Sequence, residues 1–177
     1  MKVIKAKTAG FCFGVKRAVD TVYKQVDTKC GQIYTYGPII HNEEVIKDMR
    51  DKGVIVLRSE EDLDMISQGT VIIRSHGVEK RIYEKIEQKG LRIVDATCPF
   101  VKKIHNIVSE KSGEGFHIII IGNPEHPEVV GIKGWAKDNV TVIQSAEDAE
   151  CFTADRKEKI CIVSQTTFNY NKFKDLV

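Results

Sequence analysis

Six short segments set residues capable of chemistry among glycines and prolines: GFCFGV with Cys12, YGPIIHN with His41, SHGV with His76, DATCP with Cys98, GNPEHPEV with His126 and Glu128, and SQTT with Thr166 and Thr167. Thiolates are soft ligands that suit iron–sulfur clusters. Imidazoles near helix starts can donate hydrogen bonds to phosphate, helped by the positive end of the helix dipole. Glu128, two residues from His126, can deliver a proton in a dry site. The glycines in YGP, SHG and IGNP permit tight turns and close backbone approach. The set fits an anion held beside a metal. Taken singly, each segment has a plainer reading. Cys12 between two phenylalanines can simply pack, His41 can open a helix at Asn42, and Thr166 with Thr167 can form a turn. Their shared placement is what the plainer readings explain poorly.

That placement follows from the expected elements. Short runs rich in Val, Ile and Tyr alternate with segments of helical period, the pattern of an α/β protein with mostly parallel sheets flanked by helices. Strands are predicted at 3–7, 32–36, 54–57, 71–74, 92–95, 117–121, 140–143 and 159–163, and helices at 15–26, 42–52, 79–89, 100–111 and 128–136. The run HIIII is apolar on both faces and suits a central strand covered by helices. Ligands of such sheets bind outside the carboxyl ends of the strands. Cys12, His41, His76, Cys98, His126, Glu128, Thr166 and Thr167 each follow a predicted strand. A boundary is expected near 95–99, giving two similar lobes at 1–97 and 98–177. The closing SQTTFNYNKFKDLV breaks off as a further helix begins, so truncation of the second lobe is expected.

The remaining candidates read as structural. Cys161 lies within the apolar run KICIV and should pack, Cys30 and Cys151 read as turn residues, and His105 and His117 as structural or solvated positions. Five widely spaced cysteines without a C-x-x-C pair argue against a disulfide framework, a zinc ribbon or a thioredoxin-type motif. The 177 residues, 42% hydrophobic, suffice for a real core. The 27 Lys and Arg are nearly matched by 25 Asp and Glu, and the net charge of +2 argues against a nucleic-acid partner. Neither a signal peptide nor an apolar run of membrane length is found, so a cytoplasmic location without membrane contact is expected.

In order, GFCFGVKRA, HNEEV, SHGV, DATCPFVKK, HPEVVG and SQTT resemble the motifs of the 4-hydroxy-3-methylbut-2-enyl diphosphate reductases, the IspH or LytB family, across essentially all 177 residues. The resemblance implies an iron–sulfur oxidoreductase. It would carry out the reductive dehydroxylation of 4-hydroxy-3-methylbut-2-enyl diphosphate to isopentenyl and dimethylallyl diphosphates, ending the non-mevalonate (MEP) isoprenoid pathway. It further implies a [4Fe-4S] cluster with Cys12 and Cys98 as two of three cysteine ligands. His41, His76 and His126 would hold the diphosphate, Glu128 would deliver protons, and Thr166 would stand beside it, with Thr167 the weaker candidate. Ferredoxin or flavodoxin is the electron donor expected for the family.

The family's third lobe, with the remaining cluster cysteine, a Ser-x-Asn motif and a further serine, is absent from these 177 residues. A cluster on two native ligands is expected to be labile, the chain itself inactive, and the uncovered apolar surface prone to self-association. Two other readings fit part of the pattern. One is a phosphate-binding scaffold without a cluster, and the other is a mononuclear metal site, such as zinc, using Cys12, Cys98 and one histidine.

Overall fold

Among the described residues, seven short strands build two separate parallel sheets, and each strand is followed by a helix. The structure is a computed structural model that describes residues 2–7, 9–28, 31–155 and 157–177. The first sheet holds β1 (Ile33–Tyr36), β2 (Ile55–Leu57), β3 (Thr70–Ile73) and β4 (Arg92–Asp95), in the spatial order β2-β1-β3-β4. Its register pairs Tyr34 with Ile55 on one side and with Val71 on the other, and Ile73 with Asp95. The second sheet holds β5 (His117–Ile121), β6 (Val140–Ile143) and β7 (Ile160–Ser164), with β5 in the middle. The expected central position of HIIII follows from its burial, since Ile118, Ile119, Ile120 and Ile121 are all buried.

Two helices set the site. Helix α1 (Phe13–Thr28) presents Ala18, Val19 and Val22 to Ile33, Ile39, Ile72 and Ala96. Helix α5 (Pro99–Gly113) starts with proline at its first position, where the missing N–H is not needed. It buries Val108 against Ile118, Ile120 and Val163. Full burial of each such aliphatic side chain contributes about 1.5–3 kcal/mol. Helices α2 (Glu43–Asp51), α3 (Glu60–Asp64), α4 (Lys80–Gln88), α6 (Pro127–Lys133), α7 (Ala146–Cys151) and α8 (Tyr170–Leu176) complete the order.

The two sheets meet through a small aromatic joint. His105 of α5 stacks on Trp135 with ring centroids 5.1 Å apart and 17° between planes, and Tyr83 of α4 meets the same indole edge-on at 5.7 Å. The indole N–H of Trp135 donates to the Val78 carbonyl at 2.9 Å. Gly77 is required beneath this joint, because a Cβ there would collide with the His105 ring.

Four expectations need correction. Residues 3–7 form no strand; Val3 and Ile4 are adjacent rather than alternating, and both side chains are exposed. Cys12 therefore does not follow a strand. Cys151 is the last residue of α7 rather than a turn residue, and the helix predicted to reach 136 ends at Lys133. Cys30 lies outside the described residues. Helices α3 and α7 were not among the predicted helices, whereas α8 lies in the closing segment where a further helix was expected to begin.

Candidate active site

Three histidines from three different loops converge. His41 lies between β1 and α2, just ahead of Asn42, whose side chain caps α2 by accepting the Val45 N–H at 3.1 Å. His76 lies between β3 and α4, and His126 is the N-cap of α6. Ring centroids are 4.8 Å apart for His41 and His76, 5.4 Å for His76 and His126, and 6.4 Å for His41 and His126. One ring nitrogen from each lies within 4.8 Å of the others.

The hydrogen bonding of this trio decides what it can hold. His126 Nδ1 accepts the Glu128 N–H at 3.1 Å. In the neutral ring the proton then sits on Nε2, which makes that nitrogen a donor rather than a metal ligand. Burial, with the positive potentials of His41, His126 and Arg74, pushes His76 down from 6.5 to about 4. His76 is therefore neutral near pH 7. A cluster that offers ring N–H donors and is exposed at His41 suits a phosphate group better than a cation.

Glu128 is 2% exposed in the first turn of α6. Thr166, in the turn after β7, donates its backbone N–H to Glu128 Oε1 at 2.6 Å and its hydroxyl to Oε2 at 2.9 Å. Gln165 beneath it donates to the Thr167 hydroxyl at 2.9 Å and accepts the Asn123 N–H at 3.3 Å. Thr166 also lines a cleft of about 620 Å³ together with Cys12, Gly14, Cys98, Ser164 and Thr167.

Both thiols of that cleft stand at helix starts. The Cys12 carbonyl accepts the Lys16 N–H at 2.9 Å at the start of α1, and Cys98 is the N-cap of α5. The positive helix ends complement the negative charge that ligating thiolates carry. A Cβ on Gly14 would stand 2.6 Å from Cys98 Sγ, so the sulfur needs glycine at that position. Phe13 and Phe100, both exposed, wall the cleft. Soft donors on helix ends in an apolar-walled cleft fit an iron–sulfur group. The mononuclear site of Cys12, Cys98 and one histidine is not assembled. Among the described residues the ligand group that gathers is the histidine trio, and neither thiol belongs to it.

The plainly structural residues stand elsewhere. His105 is 1% exposed in the aromatic joint. His117 is held by Glu158 at 2.9 Å and Thr141 at 2.8 Å, and Cys161 packs against the core of the second sheet. Sequence reasoning did not single out Gly14, Gln165 or Arg74. The adjoining motif letters GFCFG, SQTT and RSHG were the available signal.

Comparisons with known proteins agree with this layout. The family described as LytB protein matches residues 3–177. A 4-hydroxy-3-methylbut-2-enyl diphosphate reductase of Caldanaerobacter subterraneus subsp. tengcongensis is 46% identical over the whole chain, and one of Thermoanaerobacter sp. is 48% identical. The chain spans 61% of the length of each. Among solved structures, the E-1-hydroxy-2-methyl-but-2-enyl-4-diphosphate reductase of Plasmodium falciparum superposes with a TM-score of 0.89 at 30% identity, over 96% of this chain and 53% of that one. A second, (E)-4-hydroxy-3-methyl-but-2-enyl diphosphate reductase described as the terminal enzyme of the non-mevalonate pathway, gives 0.81 at 37% identity, over 99% of this chain and 62% of that one. No helix among the described residues is long and apolar enough to cross a membrane. Matched by the family over residues 3–177 and sharing its fold with these reductases, the chain belongs to the LytB family.

Proposed function

We propose that these residues form the larger part of the active site of a 4-hydroxy-3-methylbut-2-enyl diphosphate reductase, in which two lobes, 1–97 and 98–177, face each other across the crevice. One observation carries the reading: a continuous run of contacts joins the thiol cleft to the histidine trio. Thr166 lines the cleft beside Cys12 and Cys98, holds Glu128 by two hydrogen bonds, and Glu128 in turn is bonded to His126, which meets His76 and His41.

In this reading His41, His76 and His126 bind the diphosphate by donating hydrogen bonds. The short hydrocarbon part of the substrate then extends from the trio past Glu128 toward the thiol cleft. Glu128 delivers a proton toward the leaving hydroxyl, with Thr166 beside it. Thr166 fixes the carboxyl orientation by its paired N–H and hydroxyl. Phe13 and Phe100 give the cleft side an apolar lining. Cys12 and Cys98 would be two of the ligands of a [4Fe-4S] cluster, which when bound supplies the two electrons of a reductive dehydroxylation. The electrons would come from a small donor of the ferredoxin or flavodoxin class.

Binding of 4-hydroxy-3-methylbut-2-enyl diphosphate to the chain, followed by calorimetry, tests the reading. His41→Ala, His76→Ala and His126→Ala should each weaken it about tenfold or more, the loss of one strong hydrogen bond. Unchanged affinity in all three would contradict it. A second reading, an anion-binding module without a cluster, is favoured by the cleft's presenting two thiols among the described residues.

A further inference from the structure

Arg74 directly follows β3 and opens the loop of His76. Its side chain crosses to the neighbouring loop. Gly37, with φ of +73°, carries no Cβ, and one there would lie 2.5 Å from Arg74 Nη1. The guanidinium therefore lies directly over the turn that leads to His41. On its own side, Arg74 Nε donates to the Gly77 carbonyl at 3.3 Å, next to His76. The same two loops are tied once more, since the Ser75 N–H and hydroxyl both reach the Ile39 carbonyl, at 3.3 and 3.1 Å.

What is missing around this side chain is a counter-ion. Burial disfavours its charged form, and the compensating influence comes from the phenol of Tyr36; among the described residues no carboxylate pairs with it. A guanidinium stays charged under all ordinary conditions, and a desolvated cation without a partner is costly. Such a charge beside a cluster of imidazole donors is the arrangement that an incoming anion would complete.

We propose that Arg74 is a positioning residue of the histidine trio, bracing the loops of His41 and His76 against each other and supplying a fixed positive charge that draws a diphosphate group to the imidazoles. This rests on the diphosphate reading of the trio. The permanent charge stands one layer back, and the hydrogen-bond donors stand in front.

The test uses two independent readouts. Nuclear magnetic resonance titration of His76 without ligand measures the coupling directly; the groups facing that ring are Arg74, His41 and His126. Calorimetry with inorganic pyrophosphate measures the attraction. Arg74→Gln and Arg74→Met both remove the charge while keeping a side chain over Gly37, and either one whose amide spectrum shows a folded protein serves. The expected result is a His76 pKa higher than in the unaltered protein together with pyrophosphate binding weakened about tenfold. Arg74→Lys should keep the His76 pKa low. An unchanged His76 pKa, or unchanged pyrophosphate affinity, in a folded charge-free variant overturns the proposal. If the unaltered protein fails to bind pyrophosphate, the diphosphate reading falls, and the attraction assigned to Arg74 falls with it. The His76 titration still reports whether the charge acts on the ring.

Discussion

Thr166 grips Glu128 with two donors at once, its backbone N–H on one carboxylate oxygen at 2.6 Å and its hydroxyl on the other at 2.9 Å. The two residues lie 38 positions apart, on the turn after β7 and the first turn of α6. This pair holds a nearly fully buried acid in one orientation at the border between the thiol cleft and the histidine trio. Replacing the hydroxyl by a methyl in Thr166→Val leaves Oε2 unpaired, which should cost about 1–3 kcal/mol. Thr166→Ser should restore most of it. Urea unfolding of the three proteins is the check, and equal stability of the valine and serine variants would count against a structural role for the hydroxyl.

Glu128→Gln keeps the shape and can keep both contacts to Thr166, since the amide offers one acceptor and one donor. Stability should change little. In the reductase reading the proton donor is gone, and turnover of the cluster-loaded enzyme should fall by roughly 10²-fold or more. Unchanged turnover would remove Glu128 from the chemistry.

Gly14→Ala addresses the other end of the site. The added methyl meets Cys98 Sγ at 2.6 Å, so the sulfur or the start of α1 must move. A stability loss of about 1–3 kcal/mol is expected, along with loss of iron binding. Iron retention equal to that of the unaltered protein would show that Cys98 is not held where a cluster needs it.

Acid should weaken the fold through two buried rings. Burial pushes His105 down from 6.5 to about 4, and His76 likewise to about 4. In the unfolded chain both take up protons as pH falls through about 6.5, while in the folded protein they stay neutral until about pH 4. The unfolded state binds more protons in that window, so stability declines from about pH 6.5 to about pH 4 and levels off below it. For His105, 1% exposed, the decline is on the order of 3 kcal/mol. His105→Gln should unfold with a visibly flatter pH dependence than the unaltered protein; an equally steep one would place the buried proton demand elsewhere.

Much of this arrangement was legible before any coordinates. Strand 117–121 stands where its Ile run predicted, because a buried parallel strand must be apolar on both faces, and 92–95 stands at its predicted place on the sheet edge. The residues that follow them fall at the carboxyl edge for the same topological reason, and five of the six loops so identified do follow strands. Residues 3–7 misled because Val3 and Ile4 have the right composition but no neighbouring strand to pair with, and propensity alone does not make a strand. Helices α3 and α7 escaped because they bury little: α3 is EEDLD with Leu63 inward, and α7 buries nothing. Their caps were the readable signal, Ser59 before Glu60 and Ser145 with Asp148 in a capping box. Arg74 was invisible for a different reason. Its role depends on what does not surround it, and a sequence does not show a missing counter-ion.

The most direct test of the central claim is anaerobic reconstitution of the chain with iron and sulfide, counting both per polypeptide beside Cys12→Ala and Cys98→Ala. Thiols that jointly hold a cluster should give roughly four irons with matching acid-labile sulfide, labile on exposure to air and lost in each variant. Iron and sulfide that fail to bind, or that bind equally well without Cys12 and Cys98, would contradict the assignment of the thiol cleft as the cluster site.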